Sequence, residues 1–140
     1  MATIVSGLAG GVVATVVMTI VMRALGGGPP PTANLVATFQ GGDPADYMMP
    51  GLVLHLVYGT VAGGVLVAVL SAASLDVSAL ATWLGAGLVY GIVLMVGGAM
   101  LWVRGVIGMD PDREMMMQFA VVHVVYGLVL GAWLGYGVLG

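Results

Sequence analysis

The chain has no cysteine and no lysine, and only 6% of its 140 residues are charged. Without cysteine there are no disulfides, no thiolate metal sites and no cysteine nucleophile. Without lysine the positive charge rests on Arg23, Arg104 and Arg113, set against Asp43, Asp46, Asp76, Asp110, Asp112 and Glu114, for a net charge of −3. That balance points away from nucleic acid and other polyanionic partners. Histidine is scarce too: His55 and His123 are the two in the chain. No phosphate-binding glycine loop, catalytic triad or paired intramembrane carboxylate is present, and every acid falls in an expected loop, so the sequence offers nothing for hydrolysis or phosphoryl transfer.

What remains is apolar. Hydrophobic residues make up 61% of the chain and the mean hydropathy is +1.15, far outside the range of water-soluble domains. A spanning helix takes roughly 20 apolar residues, so the length predicts one all-α transmembrane domain over residues 1–140. Its four expected spans are residues 3–25, 51–73, 78–103 and 116–138. The first lacks the basic start of a cleaved signal peptide and is expected to be retained. All three arginines lie at the end where span 1 turns into span 2 and span 3 into span 4, which predicts that these two loops are cytoplasmic. Trp83, Trp102 and Trp133 fall toward span ends, where indoles settle at headgroup level. An acidic, lysine-free, Ala/Gly/Val-rich chain is the kind a salt-loving archaeon with a GC-rich genome makes, and codon bias alone also produces it.

An internal repeat organises the chain. His55-Leu56-Val57-Tyr58-Gly59-Thr60-Val61-Ala62-Gly63 is matched 68 positions later by His123-Val124-Val125-Tyr126-Gly127-Leu128-Val129-Leu130-Gly131. Gly7-Leu8-Ala9-Gly10-Gly11 likewise parallels Gly87-Leu88-Val89-Tyr90-Gly91, and Asp43-Pro44 parallels Asp110-Pro111. The unit is a helical hairpin, repeat 1 over about residues 3–73 and repeat 2 over about 78–138. Two spans per unit preserve orientation, so the pseudo-twofold axis runs along the membrane normal, unlike the inverted repeats of many secondary transporters. His55 and His123 are therefore expected at equal depth, about one turn inside spans 2 and 4. The first hairpin carries an insertion at residues 26–40, where Gly26-Gly27-Gly28-Pro29-Pro30-Pro31 cannot be helical. Residues 32–39 are expected to form a short interfacial helix with Leu35, Val36 and Phe39 inward, and the loop beyond it, with Asp43, Asp46 and Tyr47, to offer a contact surface for a partner.

The Ala14-Thr15-Val16-Val17-Met18-Thr19 helix, the proline-rich first loop and His55-Leu56-Val57-Tyr58-Gly59 resemble those of small four-helix membrane proteins of archaea and bacteria with no assigned function. The resemblance implies the architecture and no active site.

Residues four apart share a helix face, so His55, Gly59 and Gly63 form one stripe and His123, Gly127, Gly131 and Gly135 another, flanked by Tyr58 and Tyr126 as hydrogen-bonding groups. The leading reading is structural: small residues every fourth position bring membrane helices together, here as a seam between spans 2 and 4. The protein is then a non-catalytic accessory subunit of a larger membrane complex, such as a respiratory one, or a homo-oligomer, with lipid and other membrane subunits as partners. The runner-up is a single b-type haem electron carrier with His55 and His123 as axial ligands and Tyr58 and Tyr126 behind them. That arrangement is similar to half of the cytochrome b family's four-helix bundle, whose first and third helices supply glycines. The resemblance would give Gly7, Gly11, Gly87 and Gly91 that role, although they are expected nearer the opposite membrane face and the family has two histidines per ligating helix. A third reading is Cu(I): Met48, Met49, Met109, Met115, Met116 and Met117, of eleven methionines, gather at the histidine end, and thioether with imidazole suits that ion.

Because two spans per repeat preserve orientation, single cysteines placed at Asp43 and at Asp110 are expected to react with an impermeant thiol reagent from the same side of the membrane. Reaction from opposite sides would refute the parallel repeat.

Overall fold

The computed structural model describes residues 2–139 and is helical throughout its regular elements. In chain order these are α1 (Ile4–Ala24), α2 (Pro31–Gln40), a 3₁₀ turn (Pro44–Tyr47), α3 (Met48–Ala72), α4 (Leu80–Gly97), a π-helical continuation (Gly98–Ile107) and α5 (Arg113–Gly135). Four stretches are long and apolar enough to cross a membrane: Ile4–Ala24, Pro44–Ala72, Leu80–Ile107 and Arg113–Gly135. The protein is thus an all-α membrane protein with four candidate spans and one short helix.

Local chemistry sets the ends of these helices. The Thr3 hydroxyl accepts from the Ser6 amide (3.1 Å) to start α1, and α1 gives way to Gly26 at φ +77°, a left-handed position that suits glycine. Pro31 occupies the first turn of α2, where a missing amide costs nothing. Asp43 caps the 3₁₀ turn through the Ala45 amide (2.8 Å). The corresponding cap of α5 is Asp112, which accepts from the Met115 amide (2.8 Å). Asp110, its expected counterpart in the repeat, instead pairs with Arg104 at 3.2 Å on the surface, where such a pair adds little stability. Because Asp112 begins α5 earlier than hydropathy alone implies, Glu114 lies in the first helical turn rather than in a loop. An acid there complements the helix dipole.

The histidines sit deeper than the sequence implied. His55 is seven residues into α3 and His123 ten residues into α5, roughly 10 and 15 Å along helices that rise about 1.5 Å per residue. Counted along whole spans, from Pro44 and Arg113, the two are nearly level.

Glycines decide how the helices pair, and here the expected seam is corrected. Spans 2 and 4 do not meet through glycine; each glycine stripe is used inside its own hairpin. In the first, a methyl group added at Gly7 would fall 2.6 Å from the Gly63 carbonyl oxygen, and one at Gly11 would fall 2.5 Å from that of Gly59. In the second, Gly87 and Gly127 each face the other's carbonyl oxygen, and Gly131 lies against Trp83 and Leu84 backbone. The reason is helical drift. Four residues turn about 400°, so a stripe at every fourth position rotates some 40° per step. It begins at the histidine facing the other hairpin and ends facing the sibling helix.

The contacts then run α3 to α1, α1 to α5 and α5 to α4. Gly10 of α1 packs under Trp133 and Leu130 of α5, joining the two hairpins. The core follows this path through Ala14, Met18, Leu66, Val67, Tyr126 and Leu130. Trp83, in the first turn of α4, belongs to that core, 5% exposed, because Gly131 and Gly135 leave room for it. The short helix α2 turns Leu35 inward as expected but not Phe39. It buries Ala33 and Ala37 and leaves Phe39 72% exposed, because Ala33 meets Gly51 of α3 backbone to backbone and the Thr32 hydroxyl donates to the Gly51 carbonyl (2.6 Å). Small residues win the buried face where two backbones approach closely.

Within either hairpin even one methyl group has no room. Gly63→Ala and Gly127→Ala are expected to destabilise the protein by about 1–3 kcal/mol, the usual cost of overpacking. Gly85→Ala, whose added methyl would meet no atom within 4 Å, is expected to be neutral or stabilising by up to about 1 kcal/mol. Reversible unfolding in mixed detergent micelles measures all three, and a Gly127→Ala protein as stable as the parent would refute the seam.

Candidate ligand cavity between the hairpins

Since α3 packs on α1 and α2 but only sparsely on α4 and α5, a gap remains between the hairpins. It is a cavity of about 170 Å³ to which all five helices contribute. Both histidines line it, with Tyr58 and Gly59 of α3 and Phe119 and Tyr126 of α5. Met18 and Met22 come from α1, Thr32 and Leu35 from α2, and Gly98, Trp102, Val103 and Ile107 from the π-helical segment. A ten-residue π-helix is rare, and π geometry occurs disproportionately at functional sites. Its wider turn lets α4 continue past Gly98, which rests against Phe119 (3.1 Å for an added methyl). Gly108 at φ +74° closes it.

The two histidines differ in how they are held. His123 is buried, its Nδ1 is 2.7 Å from the Phe119 carbonyl oxygen, and its ring leans on the Phe119 ring at 4.3 Å. A carbonyl can only accept, so Nδ1 carries the proton and donates, leaving the Nε2 lone pair free. This is the way a protein commonly orients a metal-binding imidazole. His55 is half-buried, and its Nε2 is one of three buried side-chain polar atoms without a hydrogen-bond partner among the described residues. A buried imidazole nitrogen without a partner is costly in an apolar setting.

Two tyrosines tie α3 across the gap. Tyr126, fully buried, donates to the Gly59 carbonyl (2.6 Å), and Tyr90 of α4 donates to the Ala62 carbonyl (2.7 Å). Each uses the second lone pair of a carbonyl already bonded within α3. Tyr58, matched to Tyr126 in the repeat, also lines the cavity but is 41% exposed and makes no such bond among the described residues. The repeat is therefore broken at the cavity, with one tyrosine spent on holding the hairpins together and the other left at the opening.

Of the residues singled out from the sequence, His55, His123, Tyr58, Tyr126 and Gly59 meet at this cavity. Gly63, Gly127, Gly131 and Gly135 lie outside it, in the hairpin seams. Gly91 is at the level of His123, facing that residue's carbonyl oxygen, and not toward the opposite membrane face as expected. Sequence reasoning missed Phe119, Met18 and Tyr90. Phe119 had a signal, being four residues before His123 and matched to Gly51 in repeat 1, and Tyr90 had another, as a bulky residue standing where repeat 1 has Gly10. Of the expected methionine group, Met49 and Met117 are 68% and 60% exposed, and neither lines the cavity.

Fold and cavity together define a small multi-pass helical membrane protein with an apolar chamber between two hairpins. The chain belongs to DUF6789, a family of unknown function whose model matches residues 1–138. No curated protein and no solved structure matches it.

If Tyr126 ties the hairpins, Tyr126→Phe is expected to cost between about 0.6 kcal/mol, the average measured for hydrogen bonds between membrane helices, and about 1.7 kcal/mol, the largest. Tyr58→Phe is expected to change stability by less than about 0.5 kcal/mol, as at an ordinary surface position. Detergent-micelle unfolding of the two variants side by side checks this, and equal losses would refute the asymmetry.

Proposed function

We propose that this is a non-catalytic membrane protein that holds a small ligand between its two hairpins, serving as an accessory subunit of a membrane assembly or as a homo-oligomer, with its arginine-bearing loops cytoplasmic. One observation carries the reading: the two histidines of the chain line the same apolar cavity, one with Nε2 freed by the Phe119 anchor and the other with Nε2 buried and unpartnered. A ligand bridging two imidazoles would satisfy both nitrogens. The other polar side chains of the lining are Thr15, Thr32, Tyr58, Tyr126 and the Trp102 indole, and the Thr15, Thr32 and Tyr126 hydroxyls already donate to backbone carbonyls, which suits holding a ligand more than breaking bonds. The glycine seams, being consumed within the hairpins, do not favour assembly by themselves. Partners would meet the valine- and leucine-rich outer faces, such as Val57, Val61 and Val65 of α3.

Bis-histidine ligation of a b-type haem is the second reading, favoured by the same Phe119 anchor on His123. A cavity of about 170 Å³ is below the roughly 300–1,000 Å³ of drug-sized sites. Seating a porphyrin therefore asks α3 to move away from α5, breaking the Tyr126–Gly59 bond.

Native mass spectrometry of protein released from its own membranes, with an absorbance spectrum of the same sample, tests both. The binding reading expects a mass increment that disappears in His55→Ala and His123→Ala variants retaining parental helicity. A Soret band lost in the same variants identifies the increment as haem. An increment unaffected by either substitution would overturn the histidine site.

A further inference from the structure

Two histidines account for only half of the soft donors around this cavity. Met18, 5% exposed, and Met22, both on α1, line the same chamber as His55 and His123. Neither belongs to the methionine group that stood out in the sequence, because α1 reaches the site only through the packing of the hairpins. A second cavity, of about 120 Å³, adjoins the first at the loop end and shares Met22, Pro31, Val103, Phe119 and Val122 with it. Its other lining residues include Met115 and Met116, the former 39% exposed, with Asn34 and Gln118. Thioethers thus run from the loop end of α5, through Met22, to the imidazoles.

We infer that the chamber is a Cu(I) site, with His55, His123, Met18 and Met22 as the donor set and Met115 and Met116 as the approach to it; this rests on the ligand-holding reading above. Donor chemistry and charge both select that ion. Thioether and imidazole are soft to borderline ligands that suit Cu(I), whereas Mg²⁺ and Ca²⁺ require carboxylate or carbonyl oxygen. No carboxylate lines either cavity among the described residues, so the ion keeps its charge inside an apolar chamber. The cost of that burial rises with the square of the charge, which favours a monovalent ion over Zn²⁺. Methionine side chains are unbranched and adaptable, and they close around a small ion without a preformed cage. The Phe119 carbonyl fixes the His123 tautomer that presents Nε2, as an outer-sphere partner does at metal sites. The ion enters and leaves as Cu(I), with no electron transferred.

Anaerobic titration of the full-length protein in detergent with Cu(I), against a chromophoric Cu(I) chelator, tests the inference. The expected result is one Cu(I) retained per chain, not displaced by excess Zn²⁺. Met18→Leu/Met22→Leu, a volume-conserving change, is expected to weaken retention at least about tenfold, the least that loss of support costs a metal site. Met115→Leu/Met116→Leu is expected to slow loading while leaving the final affinity unchanged. Unchanged affinity in the Met18/Met22 variant overturns the donor set, and unchanged loading in the Met115/Met116 variant overturns the approach. If the parent retains no Cu(I) but native mass spectrometry shows a histidine-dependent increment, copper is refuted and the binding cavity stands. If neither appears, both are refuted.

Discussion

Everything in this structure depends on how closely two helix backbones can approach inside lipid. With no hydrophobic force between helices there, association rests on van der Waals contact and on a few interhelical hydrogen bonds. Gly7 and Gly11 against Gly59 and Gly63, and Gly87 and Gly91 against Gly127 and Gly131, bring backbone against backbone. Each hairpin becomes a rigid pair, and rigidity within the pairs is what lets the space between them stay open. Had the same stripes faced across the molecule, as the sequence implied, the glycines would have closed the gap and left the histidines nothing to line.

The join between hairpins is uneven, and that unevenness makes the cavity. On one side Gly10 admits Trp133 and Leu130, so α1 lies tightly on α5. On the other the repeat places Tyr90 where α1 has Gly10, and its hydroxyl reaches Ala62 of α3 as a strut. A glycine lets helices touch, whereas a tyrosine in the same place holds them a side chain apart. Tyr126 does likewise one turn from His123, and the chamber occupies the space these struts preserve.

The polar chemistry of the chamber is sparse. His123 is oriented by a carbonyl of its own helix, so its geometry is set before any ligand arrives. His55 has no such anchor and keeps a buried nitrogen without a protein partner. A rigid acceptor beside a less constrained one, with two flexible thioethers from α1, makes a pocket that can adjust to an occupant without moving its helices. The π-helical turn after Gly98 completes the wall, trading regular hydrogen bonding for a shape that fits against Phe119.

The sequence by itself determined the membrane class, the number of spans and the pairing of the two histidines, because hydropathy and internal repetition are properties of the chain read along its length. It also placed the short helix, through the Gly-Pro run that precedes it. Only the tertiary structure decided what each face meets. A stripe at every fourth residue drifts around the helix, so the direction in which Gly59 or Gly127 faces depends on where the neighbouring helices lie. For the same reason Phe39 ended outward and Ala33 inward, and Met18 and Met22, ordinary residues of an apolar helix in sequence, came to stand beside two histidines contributed by other helices. Spacing along a chain gives the angle between residues on one helix; which helix fills that angle is settled by close packing among all of them.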